Sequence, residues 1–281
     1  MDALDGGRVG KRGAVAHTLD GAAVDRTLAE EVPVAVVFDG STAAVMLASP
    51  NDLEDFALGF AVSEGFVAGL GDVSGFEVAP HEAGIEARFW LKRDASVALA
   101  SRRRLMAGPV GCGLCGIDSR EAAGRTVPAG PADERPWSAG ELEGATAALR
   151  AHQPLHDATR AVHGAGFLVP GGGIVLARED VGRHNALDKL IGALLRAGRP
   201  ACEGAFVMTS RISVELVQKA AMAGCGVIVA VSAPTAYAVS VAQAAGIALV
   251  QPRDGGAHVF GNAEQLVACG EMFVCCRSCR I

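Results

Sequence analysis

Cys112 and Cys115 lie in the run Gly111-Cys112-Gly113-Leu114-Cys115-Gly116. A Cys-x-x-Cys pair can close a zinc site, cycle as a redox dithiol or carry sulfur. A structural zinc site needs four ligands, usually a second pair at similar spacing; the available set is Cys269, Cys275, Cys276 and Cys279. A thioredoxin-like dithiol opens a helix after a strand, whereas the glycines flanking this pair suggest an exposed loop suited to passing a sulfur atom between two sites. Zinc-dependent nucleobase deaminases carry Pro-Cys-x-x-Cys with an upstream His-x-Glu. Here Gly111 precedes Cys112 and His81-Glu82 lacks the intervening residue, so deamination is unsupported. Arg102, Arg103 and Arg104 stand just upstream. They read either as a solvated helix end or as a positive field that depresses a thiol pKa and attracts an anionic ligand.

A second run, Arg178 to Gly192, reads Arg-Glu-Asp-Val-Gly-Arg-His-Asn-Ala-Leu-Asp-Lys-Leu-Ile-Gly. It has the pattern of a charged helix start facing a polar ligand. At a helix N-terminus the dipole disfavours a charged imidazole, so a neutral His184 with Asn185 would suit the edge of a base or pterin; the plainer alternative is a capping or packing histidine. His163 reads as structural.

These residues need elements to hold them. Apolar clusters between turn signals predict strands over 33–38, 43–48 and 85–91. Asn51 is expected to cap a helix whose Leu53, Phe56, Ala57, Phe60 and Ala61 form one apolar face, and a second helix is expected from Ala95 to Leu105. Ser138 with Glu141 makes a capping box for a helix to His152. Beyond it, residues 165–169 and 174–177 flank Gly171-Gly172-Gly173 as a hairpin, and a helix follows from about Gly182 to Leu195. Residues 205–250 then alternate strand and helix, which implies parallel strands. Parallel α/β sheets bind ligands beyond the carboxyl ends of their strands. Three such ends are polar: Thr209-Ser210-Arg211, Ser232-Ala233-Pro234-Thr235 and Gln251-Pro252-Arg253-Asp254-Gly255-Gly256. Ordinary capping by Ser210, Ser232 and Thr235 is the plain reading; the two arginines favour a pocket for an anionic ligand.

Half of the 281 residues are hydrophobic, only 5% are aromatic and 36 are glycine, as in a closely packed α/β protein. A net charge of -6 argues against a general nucleic-acid coat. The segment from Met1 to Asp20 is charged and has no apolar core, so it is not read as a signal peptide, and a cytoplasmic protein with reduced cysteines is expected. The stretch from Ala220 to Gln251 carries no formal charge but is broken by glycines and Pro234, which suits strand, helix and strand rather than a membrane span. The expected organisation is an extension over 1–29, an α+β part over 30–125, a linker over 126–137, an α/β cofactor-binding part over 138–268 and a Cys-rich tail over 269–281.

Taken together, Leu58-Gly59-Phe60, Ser63-Glu64-Gly65, the Cys112–Cys115 loop, the Glu179–Gly192 run, Ser210-Arg211 and Gly224 to Thr235 resemble the FdhD family of formate dehydrogenase accessory sulfurtransferases over roughly residues 30 to 250. The resemblance implies a cytidine-deaminase-like three-layer α/β fold without the zinc site, plus a smaller N-terminal α+β part, in a cytoplasmic homodimer that uses neither nucleic acid nor membrane. It implies that Cys112 takes sulfur from a cysteine desulfurase as a persulfide, with Cys115 assisting. The sulfur then passes to the molybdenum cofactor, as its bis-molybdopterin guanine dinucleotide form, for formate dehydrogenase. No permanent metal is implied. The cofactor-binding stretch it implies is Gln251, Pro252, Arg253, Asp254, Gly255 and Gly256, with the nucleotide phosphates meeting Arg253 and the helix N-termini at Ser210 and Thr235; Arg211, Ser232, His184 and Asn185 join the expected site from the reading of the strand ends and the charged helix start. Where the family usually reads Phe-x-Arg-Gly-Gly-Arg, this chain is one residue short and only Arg253 clearly corresponds. A cofactor chaperone without sulfur chemistry and a zinc-stabilised regulatory module are the alternatives.

Overall fold

Residues 205–253 supply the frame, because their strands are apolar on both faces and must be covered from both sides. In the computed structural model, which describes residues 10–97, 99, 128, 136–262, 266–269 and 272–274, strands β10 (Ala205–Arg211), β11 (Val227–Ser232) and β12 (Ala248–Arg253) run parallel. β8 (His163–Val169) and β9 (Gly173–Asp180) add an antiparallel hairpin beside β10, and β13 (Gly256–Phe260) folds back on β12. The six strands lie in the order β13-β12-β11-β10-β8-β9.

Alternate residues feed two cores. Phe206, Met208, Ile228, Ala230 and Leu249 face α4 (Arg183–Arg196), α5 (Val214–Ala223) and α6 (Ala236–Ala245). Val207, Val227, Val229, Ala248 and Val250 pack with Trp137 and with Leu142, Ala145 and Leu149 of α2 (Ala139–Arg150). The mixed α/β class with flanking helices is the one expected. So are the hairpin, the order of the later elements and the capping box, in which Ser138 Oγ accepts from Glu141 N.

The first part of the chain builds a second sheet in the order β4-β3-β6-β5 from β3 (Val32–Phe38), β4 (Ser41–Ala48), β5 (Val73–His81) and β6 (Gly84–Leu91). Val34, Val36, Phe38, Ile85, Ala87 and Phe89 pack on Phe56, Phe60 and their neighbours of α1 (Leu53–Ser63). Before it, β1 (Lys11–His17) and β2 (Ala23–Ala29) form a ribbon exposed on both faces, and α3 (Pro154–Thr159) lies near its base. Short strands β7 (Pro136–Ser138), β14 (Val267–Cys269) and β15 (Met272–Val274) pair as a third sheet.

Some local expectations give way. Asn51 is not the helix cap: Asp52 holds that position in a left-handed conformation at φ 53°, and Asn51 Nδ2 donates to Asp52 Oδ2 at 2.8 Å. Residues 93–97 are helical, and the rest of the expected second helix falls mostly outside the described residues. The sequence pattern does not predict β1, β2, β5 and β13, whose alternation is interrupted by polar and glycine positions, or β7, β14 and β15, which at three residues are too short to show one.

The two large sheets are joined through α1 and α4, which cross with almost no side chain between their backbones. A Cβ on Gly59 would meet Asp188 O at 1.7 Å, and one on Gly192 would meet Asp55 O at 1.9 Å. Glycine is required at both crossing points on steric grounds alone.

Candidate functional site

Ser63, the last residue of α1, sits where α1, α4 and α5 meet. Its hydroxyl donates to Asp188 Oδ1 at 2.6 Å, and the buried Lys219 ammonium reaches Asp188 at 2.9 Å and Glu64 Oε1 at 2.7 Å. Burial alone would discharge Lys219, but the two carboxylates outweigh it and raise its pKa. A second network is equally dry. Lys189 Nζ contacts Asp180 Oδ2 at 2.7 Å, both side chains fully buried, and also donates to Ser49 O. Asp180 in turn accepts from Ser49 N, Gly182 N and Asn185 Nδ2. Glu179 accepts from the first backbone amides of α3, Leu155 N at 2.7 Å and His156 N at 2.8 Å. Arg178 pairs with Asp55, which also holds Arg196.

The run from Arg178 to Lys189 therefore splits by role. Asp180, Asp188, Lys189 and Asn185 stitch the two halves of the chain, and Glu179 ties β9 to the start of α3. Asn185 does not present its amide to a ligand, because Nδ2 is committed to Leu47 O at 2.7 Å and to Asp180. His184 remains at the first turn of α4. Burial, then the charges of Arg183 and Lys219, push its pKa down to about 4. Its Nε2 is buried with no hydrogen-bond partner, and so is Arg183 Nε.

His163 pairs with Asp180 across β8 and β9, which brings it beside the same turn. Its Nδ1 lies 3.5 Å from Thr209 Oγ1 at the end of β10, and Thr209 accepts from Gly164 N at 2.9 Å. Burial first, then Arg183, lowers the His163 pKa. Glu215, in the first turn of α5, completes the group. Burial would raise it, but the Ser213 hydroxyl, its own backbone N–H, His184 and Arg183 together hold it below the usual carboxylate range.

Along the same edge stand the other strand ends singled out by sequence. Ser210 is buried and donates to Arg211 O at 3.0 Å, and Arg211 pairs in register with Ser232. Thr235 caps α6, accepting from Ala238 N, and its own N–H donates to Ile212 O at 3.1 Å, tying α6 to the segment after β10. Gln251, 3% exposed, donates through Nε2 to Val231 O at 3.4 Å and leaves Oε1 unpartnered. The structure thus brings Ser210, Arg211, Ser232, Thr235, Gln251 and His184 to one edge. Pro252, Arg253 and Gly256 belong to the β12–β13 hairpin, with Asp254 and Gly255 at its turn, where Gly255 takes φ 79°. Arg253 and Asp254 are exposed there.

From sequence, Thr209 stands out only as part of a polar strand end and His163 only as structural, and neither Arg183 nor Glu215 is singled out as a site residue. Arg183 is legible as the neighbour of His184; His163 and Thr209 come together through the pairing of β8 with β9 and β10, and Glu215 through the packing of α5 against α4. Cys112, Cys115, Arg102 to Arg104 and the cysteines from Cys275 onward lie outside the described residues, and Cys269 is described only as part of β14. Among the described residues no group of three or more metal-ligating side chains is gathered, and no described helix is long and apolar enough to cross a membrane.

The model of the FdhD/NarQ family matches residues 29–267. The sulfur carrier protein FdhD of Agrobacterium fabrum is 48% identical over 244 residues, covering 86% of this chain and 90% of that protein. That of Bordetella parapertussis is 46% identical over 243 residues, covering 86% and 87%. A crystal structure from Desulfotalea psychrophila, described as that of a formate dehydrogenase accessory protein, superposes with a TM-score of 0.67 at 22% identity over 89% of this chain and 96% of that one. That likeness is one of fold.

Proposed function

Because the chain belongs to the FdhD/NarQ family, we propose that it is a sulfur carrier for formate dehydrogenase maturation. Cys112 accepts sulfur and a nucleotide-bearing molybdenum cofactor, bis-molybdopterin guanine dinucleotide, binds at the strand-end edge as the substrate to be sulfurated. The observation that carries the binding half is the set of buried, unpartnered polar atoms along that edge, Gln251 Oε1, His184 Nε2 and Arg183 Nε. Each would be costly to leave without a partner in a finished complex.

In the sulfur half, the Cys112 thiolate attacks the outer sulfur of a persulfide on a cysteine desulfurase. A new S–S bond forms on Cys112, the donor S–S bond breaks, and the donor cysteine leaves as a thiolate, so no net oxidation occurs. Cys115 assists or relays, and the positive charge of Arg102 to Arg104 favours the thiolate. A homodimer acting in the cytoplasm completes the reading.

Incubating the full chain with a cysteine desulfurase and L-cysteine, followed by mass spectrometry of peptides, tests it. The expected result is one added sulfur on the Cys112 peptide, absent in Cys112→Ala. Equal labelling of Cys112→Ala removes that residue from the role. A Cys112→Ala chain that still restores formate dehydrogenase activity in cells lacking their own carrier would leave only the chaperone reading.

A further inference from the structure

Neither face of the β1–β2 ribbon is covered. Val15, Val24 and Leu28 are 62%, 39% and 51% exposed, and Leu19 stands fully in solvent at the turn. A two-stranded ribbon is only marginally stable alone, and apolar side chains gathered on an exposed surface mark it as one that another surface covers. The ribbon ends where the family match begins, at residue 29, so its role is read from its own residues. Residues paired across the strands share a face. One face carries Ala14, Ala16, Val24 and Leu28 with Arg12 and Arg26, and no carboxylate. Glu30, just past the ribbon, reaches Arg12 only at 4.0 Å. The opposite face sets Val15 against Asp25. The first face is therefore both apolar and positive.

A surface of the complementary kind lies in the same chain. The sheet β4-β3-β6-β5 packs its inner face on α1, and its outer face leaves Val45, Leu47 and Trp90 63%, 55% and 45% exposed, beside an exposed Pro33. Strand register puts Glu77, Glu86 and Arg88 on that same face. Arg88 bonds Glu86 at 2.8 Å and stands 3.7 Å from Glu77, so two carboxylates share one guanidinium. His81, 3.5 Å from Glu86, adds positive charge only when protonated. At neutral pH the outer face is apolar with a surplus of negative charge. The ribbon cannot use the sheet of its own chain. Only Glu30 and Glu31 separate β2 from β3, too few to reverse the chain and climb the roughly 10 Å between packed sheets. Its base is also held, by Glu30 N donating to Gly10 O and by α3.

We propose that the ribbon is an exchange arm. Each copy of the chain lays the face bearing Arg12 and Arg26 across the outer face of the β4-β3-β6-β5 sheet of a second copy, and the mutual contact closes with twofold symmetry. Seven residue pairs make a strip about 24 Å long and about 10 Å wide. Counted on both partners and for two arms, such a strip removes about 1,000 Å² from water, the lower bound of a specific interface. The apolar residues of the two faces are buried together, and Arg12 and Arg26 answer the surplus carboxylate. The assignment rests on the homodimer proposed above, adds the surface that makes it, and is independent of the sulfur step.

Sedimentation of the full chain across a range of concentrations tests it. The parent is expected to dimerise. Leu28→Glu on the ribbon and Val45→Arg on the sheet each set like charges against each other, and each is expected to weaken the dimer at least about tenfold. Val15→Ser, on the opposite face of the ribbon, is expected to stay within about twofold of the parent. Mixing the Leu28→Glu and Val45→Arg chains is expected to regain the dimer, because the mixed pair keeps one native arm and sets the introduced carboxylate against the introduced guanidinium in the other. Arg26→Glu and Leu47→Arg carry the comparison if either first variant does not fold. A dimer that ignores either substitution, that is lost in Val15→Ser, or that mixing does not regain overturns the arm and leaves the homodimer standing. A parent that stays monomeric throughout removes both, while sulfur loading of Cys112 is read separately.

Discussion

At the scale of single residues, the same chemical type has opposite uses within a few positions. Lys189 and Lys219 are buried against carboxylates and hold elements together, whereas Arg183 and His184 keep nitrogens without partners. His184 also makes stability respond to pH. Its folded pKa is lowered to about 4 from the ordinary 6.5 of a histidine, so between those values the unfolded chain binds more protons and stability rises with pH. The contribution is complete above about pH 6.5 and is lost as pH falls toward 4, on the order of 2 kcal/mol after allowance for partial exposure. Urea unfolding at pH 4.5 and pH 7 should show a smaller pH effect in His184→Gln than in the parent by about that amount; parallel pH profiles would exclude it. His184 was legible as a candidate because histidine before a helical apolar pattern is conspicuous. Asn185 was read with it, and the strand β4 that takes its amide through Leu47 O is far away in sequence.

At the scale of elements, the α1–α4 crossing decides how the halves of the chain meet. Leu58-Gly59-Phe60 and Ile191-Gly192 carry no chemistry of their own, and their glycines matter because backbones touch there. Gly59→Ala or Gly192→Ala should destabilise the protein by at least about 3 kcal/mol, since no rotamer change can move a carbonyl out of the way. Gly144→Ala lies in open space on α2 and should stabilise by about 0.5 to 1 kcal/mol through helix propensity. Chemical denaturation of the three variants checks the contrast, and a neutral Gly192→Ala would refute the close crossing. The later elements were legible because their apolar runs are long and bounded by Gly224, Thr235 and Gly246, whereas β5 and β13 lack that pattern.

At the scale of the whole molecule, stability should be graded. The α1–α4 pair and the central strands β10 and β11 lie between buried clusters. The β1–β2 ribbon exposes Val15, Leu19 and Leu28, and a two-stranded ribbon is only marginally stable in isolation. Hydrogen exchange of the dissociated chain, read by mass spectrometry in dilute solution, should find the ribbon amides exchanging first and those of α4 among the last. Protection of the ribbon equal to that of α4 would mean that another surface covers it.

By itself, the sequence determined the α/β class, the order of elements from β8 to β12, the polar strand ends and the family, because periodicity, capping and short motifs are local properties of the chain. Tertiary structure decided which polar residues of the Arg178–Lys189 run are spent inside the fold and which keep a buried nitrogen without a partner. Partners such as Ser49, Ser63, Leu47 and Lys219 are remote along the chain, and a buried charge or amide acquires its role only from what packing places within hydrogen-bond reach.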